Sequence, residues 1–119
     1  NQTQNNETFD TRSEKGISFE KECSIILQKN GWKTELTPKT GDQGADIIAN
    51  KGKIKLVVQC KFYEKPVGND AVQQIISAKS YFDATVAAVV SKSGFTKSSE
   101  LLAEKTTVLL LSPSDLNEI

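Results

Sequence analysis

Three polar residues, Asp46, Gln59 and Lys61, stand on the two arms of a predicted β-hairpin. A carboxylate and a neutral amide oxygen suit Mg²⁺, which prefers hard oxygen ligands and keeps several of its waters. A nearby lysine can orient or activate a water molecule and stabilise the charge that develops on a phosphorane. The three side chains, placed together, therefore predict metal-assisted hydrolysis of a phosphodiester.

The turn of the hairpin brings these side chains together. Gly52-Lys53 suits a two-residue type II′ turn, which favours glycine at its first central position. Closing the chain there places Asp46 directly opposite Gln59, with Lys61 diagonal to Asp46. Opposed residues have Cβ atoms roughly 4.5–5.5 Å apart, and diagonal residues about 7–8 Å, a distance that a lysine spans.

Apolar alternation supports this register. Strict alternation puts one apolar row on a single side of the hairpin, made of Ala45, Ile47, Ala49, Ile54, Leu56, Val58, Cys60 and Phe62. A slip of one residue in either strand would bury polar groups and expose this row. We therefore expect Asp46, Gln59 and Lys61 to share the less apolar face.

Composition excludes several kinds of enzyme. The chain has 119 residues, enough for one domain with a real core, and it contains no histidine. Zinc sites built on imidazole, Ser-His-Asp or Cys-His catalysis and histidine general bases are therefore excluded. The formal net charge is zero, which argues against capture of nucleic acid by the charge of the whole domain.

Two further features bear on location. The sequence has no apolar run long enough to span a membrane and no signal-peptide pattern at its start. Cys23 and Cys60 fall on the apolar faces of a predicted helix and a predicted strand, and we expect both to be buried free thiols. A cytoplasmic location follows from these expectations.

Lysines cluster in and beside the hairpin, at Lys51, Lys53, Lys55, Lys61 and Lys65. Charged residues on a strand edge prevent aggregation between sheets, so a solvated edge explains several of them. A patch that faces phosphates is the alternative, and it would give weak, salt-sensitive binding.

The remaining pattern predicts the fold. Residues 1–12 are polar and rich in Asn, Gln and Thr, which predicts a disordered arm or linker before a folded domain at 13–119. Within that domain, periodicity and turn residues predict helix 13–30, strand 32–36, the hairpin, a helix capped by Asn69 or Asp70, strand 85–90, helix 96–105, strand 107–111 and a final helical turn. The order α-β-β-β-α-β-α-β predicts an α/β fold with a mixed central sheet and helices on both sides.

Five short segments form a more specific pattern, namely Gly16-Ile17-Ser18-Phe19-Glu20, Gly31-Trp32, Gly41-Asp42-Gln43-Gly44-Ala45-Asp46, Gln59-Cys60-Lys61 and Pro66-Val67-Gly68. With these segments the chain resembles the catalytic domains of Mrr-like restriction endonucleases, in the PD-(D/E)xK nuclease superfamily, over roughly residues 16–116. The resemblance implies a restriction-endonuclease-like, three-layer α/β/α nuclease domain at 13–119.

The resemblance also implies roles for single residues. Asp46 would be the metal-binding aspartate, Lys61 the catalytic lysine, and Glu20 the helical glutamate that completes such sites through a metal-bound water. Gln59 stands where the wider superfamily has Glu or Asp, and glutamine there is typical of the Mrr-like branch. Since glutamine carries no charge, the metal would also depend on the backbone carbonyl of Cys60.

Simpler interpretations remain for several of these residues. Asp46 can start a strand after a glycine turn, Lys61 can be a surface lysine, and Glu20 can be a glutamate that the helix dipole favours. Asp42 can bond its own backbone in the loop. Gln73 and Gln74 can contact substrate, but we expect them to be solvated residues on a helix surface.

Together these patterns predict a Mg²⁺-dependent DNA endonuclease domain, with Mn²⁺ as a substitute, of the Mrr-like (type IV) restriction type. Because the net charge is zero, a homodimer or an additional DNA-recognition domain would supply affinity for modified or branched DNA. The alternatives are a structure-selective nuclease such as a junction resolvase, a catalytically silent module that binds DNA or protein, and a purely structural interaction domain.

Overall fold

The structure, a computed structural model, describes residues 2–37 and 44–119, with side chains from residue 14 onward. Its helices and strands follow the predicted order, and the predicted final helical turn is a 3₁₀ helix. They are α1 (Gln2–Lys29), β1 (Lys33–Leu36), β2 (Ile47–Lys51), β3 (Ile54–Lys61), α2 (Asn69–Tyr81), β4 (Val86–Ser91), α3 (Lys97–Thr106), β5 (Val108–Leu111) and the 3₁₀ helix (Pro113–Glu118).

One mixed sheet of five strands, in the order β1-β2-β3-β4-β5, organises the domain. Strands β1, β2 and β3 pair antiparallel, whereas β3, β4 and β5 pair parallel. Antiparallel neighbours can be joined by a tight turn, but parallel neighbours need a crossover, which α2 and α3 provide. The predicted mixed α/β fold is therefore confirmed.

The predicted register of the β2–β3 hairpin is also confirmed. The turn residue Gly52 has φ +61°, the left-handed conformation that glycine adopts without strain. The pairs that close on this turn are Lys51 with Ile54, Ala49 with Leu56, and Ile47 with Val58.

Two apolar layers cover the two faces of the sheet, because successive residues of a strand point to opposite sides. Leu56 and Val58 pack in a cluster with α1 and the 3₁₀ helix, formed by Phe19, Cys23, Leu27, Trp32, Ile47, Ala49, Ala88, Val90 and Leu116. Val57 packs on the other side with residues of α2, α3, β4 and β5, namely Val72, Ile75, Ala78, Ala87, Val89, Ala103 and Val108. The three layers place α1 on one face of β3 and α2 on the other.

The ends of two helices differ from the prediction. Helix α1 begins at Gln2 and not near residue 13, and the division into an arm at 1–12 and a domain at 13–119 stays a prediction. Helix α2 has Gly68 at its N-cap, without a side-chain cap bond. Asn69 and Asp70, the two predicted caps, lie inside the first turn of the helix instead. The Asn69 side chain donates to the Ser98 hydroxyl at 3.0 Å.

Within the described ranges, the structure contains no helix with the length and apolar character needed to cross a bilayer.

Two adjacent threonines at the end of α3 generate a stability prediction. Thr107 is exposed and holds φ +60°, which is strained for a β-branched residue, so Thr107→Gly should raise the free energy of unfolding by about 0.5–1 kcal/mol. Thr106 is helical and donates its hydroxyl to the Leu102 carbonyl, so Thr106→Gly should lower the same quantity by about 1 kcal/mol. Urea unfolding of both variants measures these changes, and equal destabilisation by both would contradict the prediction.

Candidate active site

A cavity of about 710 Å³ opens at the end of the hairpin, between α1 and the chain that follows β3. All five residues that were predicted to form the site line this cavity: Glu20, Asp46, Gln59, Cys60 and Lys61. The structure therefore brings the predicted residues together. The positions of Asp46 and Gln59 within the hairpin differ from the predicted ones.

Asp46 does not lie directly opposite Gln59, which corrects the predicted pairing. The backbone N–H of Asp46 donates to the Val58 carbonyl at 2.7 Å, although Val58 is already paired with Ile47. Two successive residues that oppose one are the arrangement of a β-bulge, which re-aims the side chain. As a result, Oδ2 of Asp46 accepts a hydrogen bond of 2.7 Å from the backbone N–H of Cys60.

The same irregularity corrects the predicted side of Ala45. Its side chain packs with Val57 in the cluster beneath α2, and not in the row of Ile47 on the α1 side. Strict alternation thus holds from Ile47 onward and fails just before it.

Gln59 is buried beneath α2, with 6% of its surface exposed. Its Nε2 donates to the Gly44 carbonyl at 3.0 Å and to Oε1 of Gln74 at 2.8 Å. Both amide hydrogens therefore have acceptors. Among the described side chains, Oε1 of Gln59 is buried without a hydrogen-bond partner.

Gln74 is exposed, as expected of a residue on the helix surface, but its side chain also contacts Gln59 and so belongs to the site. Its position carried a signal: it is three residues after Ala71 and four before Ala78, both of which are buried against the sheet. Residues at this spacing share one face of a helix, so Gln74 lies beside the sheet-facing stripe.

Gly44 lies directly against the backbone of α2. Its φ is +81°, and a Cβ at this position would lie 2.5 Å from the Gln74 carbonyl oxygen, which real side chains do not tolerate. Only glycine satisfies both conditions. The loop before it, with the prediction for Asp42, lies outside the described residues.

Lys61 is half-buried, and its ammonium lies 5.3 Å from the ring centroid of Tyr63, a cation–π contact. Two other hairpin lysines point elsewhere. Lys51 donates to the carbonyls of Asn30 and Ile119 at 3.0 and 3.3 Å, and Lys55 donates to the Phe82 carbonyl at 3.1 Å. The predicted patch is thus smaller: Lys61 and Lys65 line the cavity, joined by Lys15 from α1.

The two loops beside the cavity, residues 62–68 and 92–96, are bonded to each other. The backbone N–H of Val67 donates to the Gly94 carbonyl and the Val67 carbonyl accepts from Thr96 N–H, each at 2.9 Å. Ser93 donates its hydroxyl to the Tyr63 carbonyl. The loop that carries Tyr63 is therefore held by the loop that follows β4.

Cys60 connects the site to the core beneath α1. A hydrogen bond with Cys23 raises the pKa of the Cys60 thiol well above its ordinary value, and burial and the nearby charges of Asp46 and Glu20 raise it further. Both cysteines are free thiols, as predicted, with Cys23 buried and Cys60 half-buried. Since both carboxylates disfavour the Cys60 thiolate, Glu20 and Asp46 approach the same residue from α1 and from the hairpin.

The oxygen atoms available in the cavity suit a hard divalent cation. Within the described side chains, no group of three or more His, Cys, Asp or Glu is placed to hold a metal ion. The cavity offers two carboxylates, on Asp46 and Glu20, together with the amide oxygen of Gln59. A buried acceptor without a donor is unfavourable, and a cation would satisfy it. This all-oxygen set suits Mg²⁺.

The five-stranded mixed sheet with helices on both faces places the chain in the restriction-endonuclease-like fold class. The Mrr_cat family, described as "Restriction endonuclease", matches residues 11–119, and the chain belongs to this family. No curated protein sequence matches the chain at a significant level.

Solved structures share the fold. AF1548, a protein of unknown function, matches with a TM-score of 0.65 and 15% identity over 81% of this chain and 58% of its own. Hjc, a Holliday junction resolvase from Archaeoglobus fulgidus, matches with a TM-score of 0.55 and 27% identity over 66% of this chain and 64% of its own. The DNA modification-dependent restriction endonuclease AspBHI matches with a TM-score of 0.63 and 20% identity over 91% of this chain and 31% of its own. The chain thus spans less than two thirds of each of these proteins.

The contact of Gly44 with α2 generates a mutational prediction. Gly44→Ala adds a methyl group 2.5 Å from the Gln74 carbonyl oxygen at φ +81°, and should lower the free energy of unfolding by roughly 2 kcal/mol or more. Gly52→Ala is the matched control, because it also has positive φ but open space around the new methyl group. It should lose only about 1 kcal/mol. Equal losses in urea unfolding would show that the contact with α2 is unimportant.

The raised pKa of Cys60 generates a pH prediction for the metal-free protein. As pH rises above the ordinary thiol value of about 8.5, the unfolded chain loses this proton before the folded chain does. Stability should therefore fall with rising pH, by at most about 1.4 kcal/mol per pH unit from this group. Urea unfolding in EDTA should show a shallower alkaline decline for Cys60→Ala than for wild type, and equal slopes would contradict the assignment.

Proposed function

We propose that this domain is a Mg²⁺-dependent endonuclease that hydrolyses DNA phosphodiesters, of the Mrr-like, type IV restriction type. The observation that carries the proposal is the convergence of Asp46, Glu20, Gln59 and Lys61 on one cavity. Among the described side chains, the amide oxygen of Gln59 is also buried without a hydrogen-bond partner. DNA as the substrate is supported by two endonucleases of similar fold, EndoMS and MspJI, whose structures contain double-stranded DNA and a 27-mer oligonucleotide.

Four groups would hold the cation. Asp46 supplies a carboxylate, Gln59 its amide oxygen and Cys60 its backbone carbonyl, while Glu20 acts through a bound water. When present, the metal ion lowers the pKa of bound water and neutralises charge on the phosphate oxygens. The bond from Cys60 N–H fixes the Asp46 carboxylate before any ligand arrives.

Lys61 would act on the water and on the phosphate. An ammonium beside the cavity donates hydrogen bonds to the attacking water and stabilises negative charge that develops at phosphorus. The ring of Tyr63 restricts where the Lys61 side chain can go, because the ammonium lies over it. Fixed donors of this kind stabilise charge without reorganising during the reaction.

Affinity for DNA requires more than this cavity. The formal net charge is zero, and two of the hairpin lysines are bonded to backbone carbonyls away from the site. We therefore propose that a second copy of the domain or a separate DNA-recognition domain supplies binding energy and the choice of modified DNA. The two free thiols suit a reducing compartment such as the cytoplasm.

A junction resolvase is the second candidate. The likeness to Hjc, at 27% identity over 66% of this chain, favours it specifically. Both candidates use the same cleavage chemistry, and they differ in the shape of the DNA.

The proposal predicts Mg²⁺-dependent cleavage that depends on the site. Asp46→Asn and Lys61→Met should each reduce the cleavage rate by about 10²-fold or more, because each removes a group that acts on the reacting phosphate. Lys53→Met, an exposed lysine at the hairpin turn, is the control and should retain the wild-type rate. Melting temperatures of all variants check that the fold is intact.

Three DNA substrates distinguish the candidates: methylated plasmid, unmodified plasmid and a synthetic four-way junction. Preference for methylated plasmid supports the restriction enzyme, and preference for the junction supports the resolvase. Equal rates for wild type, Asp46→Asn and Lys61→Met on every substrate would eliminate the proposed site. DNA binding without cleavage would favour the silent module.

A further inference from the structure

Gln59 holds its amide in one orientation, and the reason lies in its two neighbours. The Gly44 carbonyl can only accept a hydrogen bond, so the atom 3.0 Å from it must be Nε2 of Gln59. The second hydrogen on Nε2 points to Oε1 of Gln74 at 2.8 Å. Within the described part of the chain, Oε1 of Gln59 is therefore the atom left without a hydrogen-bond partner.

We infer that Gln74 is a positioning residue that keeps Oε1 of Gln59 directed at the cation. This inference rests on the proposed function. Rotating the Gln59 amide by half a turn would set its oxygen against the Gly44 carbonyl, which can only accept, so Gly44 selects the orientation of the amide. The second hydrogen bond, to Oε1 of Gln74, holds the Gln59 amide in that orientation and restricts the movement of its free oxygen.

The same pair explains why residue 59 is an amide. A carboxylate has no hydrogen to donate to the Gly44 carbonyl, and it would be buried beside a second acceptor on Gln74. An amide satisfies both acceptors with its nitrogen and still offers one oxygen. Glutamine is thus the residue that fits between Gly44 and α2 while serving as a ligand.

The exposure of Gln74 makes it suitable for mutation. Its side chain is exposed although Oε1 reaches Gln59, and it belongs to neither apolar cluster, so replacing it leaves the apolar core intact. Gln74→Met removes the acceptor at similar length, and Gln74→Glu keeps an acceptor oxygen. Gln73→Met is the matched control, because Gln73 is an exposed neighbour on the same helix whose side chain donates to Asn69.

Mn²⁺ binding to the metal-stripped full chain, measured by calorimetry, tests the inference. Gln74→Met should weaken the Mn²⁺ Kd by about tenfold, which is the usual effect of losing a group that orients a metal ligand. Gln74→Glu and Gln73→Met should each bind Mn²⁺ with a Kd no more than twofold above that of wild type. In a Gln59→Leu background, Gln74→Met should have no further effect, because its target is gone.

Two further measurements separate positioning from a general structural role. The side-chain amide signal of Gln59 in ¹⁵N spectra should shift in Gln74→Met and stay in place in Gln73→Met. Gln74→Met should also raise the Mn²⁺ concentration for half-maximal cleavage while the rate at saturating Mn²⁺ stays near wild type, whereas a damaged fold would lower both.

The outcomes distinguish this inference from the proposed function. Wild-type Mn²⁺ affinity in Gln74→Met, together with a shifted Gln59 signal, overturns the positioning role and leaves the nuclease proposal standing. Wild type that binds no Mn²⁺ and cuts no DNA overturns both. A tenfold loss confined to Gln74→Met supports the inference.

Discussion

The close approach of Gly44 to the backbone of α2 is the constraint on which the site depends. Because Gly44 lies against the Gln74 carbonyl with no room for a side chain, its position relative to the helix on one face of the sheet is fixed. The Gly44 carbonyl then faces Gln59 across the strand end, and Asp46 follows two residues later with its carboxylate bonded to Cys60 N–H. A single contact between backbones thus sets the positions of two proposed ligands.

Strand β3 serves the core and the site alternately. Val58 and Cys60 turn their side chains toward α1, while Val57 and Gln59 turn theirs toward α2. The backbone N–H of Cys60 points along the sheet to Asp46, independently of where its thiol packs. The side chain of residue 60 can therefore be selected for packing against Cys23, while its peptide group contributes to the site whatever that side chain is.

The hairpin register could be predicted because a glycine turn agrees with the apolar alternation from Ile47 to Phe62. The position of Asp46 could not, because a bulge changes the pairing by one residue without changing the residue types. Gln74 resembles any solvated glutamine until the loop with Gly44 is placed beside it, and Lys51 and Lys55 are fixed by carbonyls distant in sequence. The residues of the site could be predicted from sequence motifs. Their relative positions could not, because those positions depend on tertiary contacts.

The bonds between the loops at 62–68 and 92–96 have a consequence for the thermodynamics of binding. Val67 is bonded to Gly94 and Thr96, and Ser93 to Tyr63, so this side of the cavity is ordered before a ligand arrives. Ordering a flexible loop costs about 1–2 kcal/mol of backbone entropy per residue, and residues already bonded avoid that cost. When a ligand binds in the cavity, the heat-capacity change should then reflect the surface that becomes buried, without a contribution from folding of these two loops.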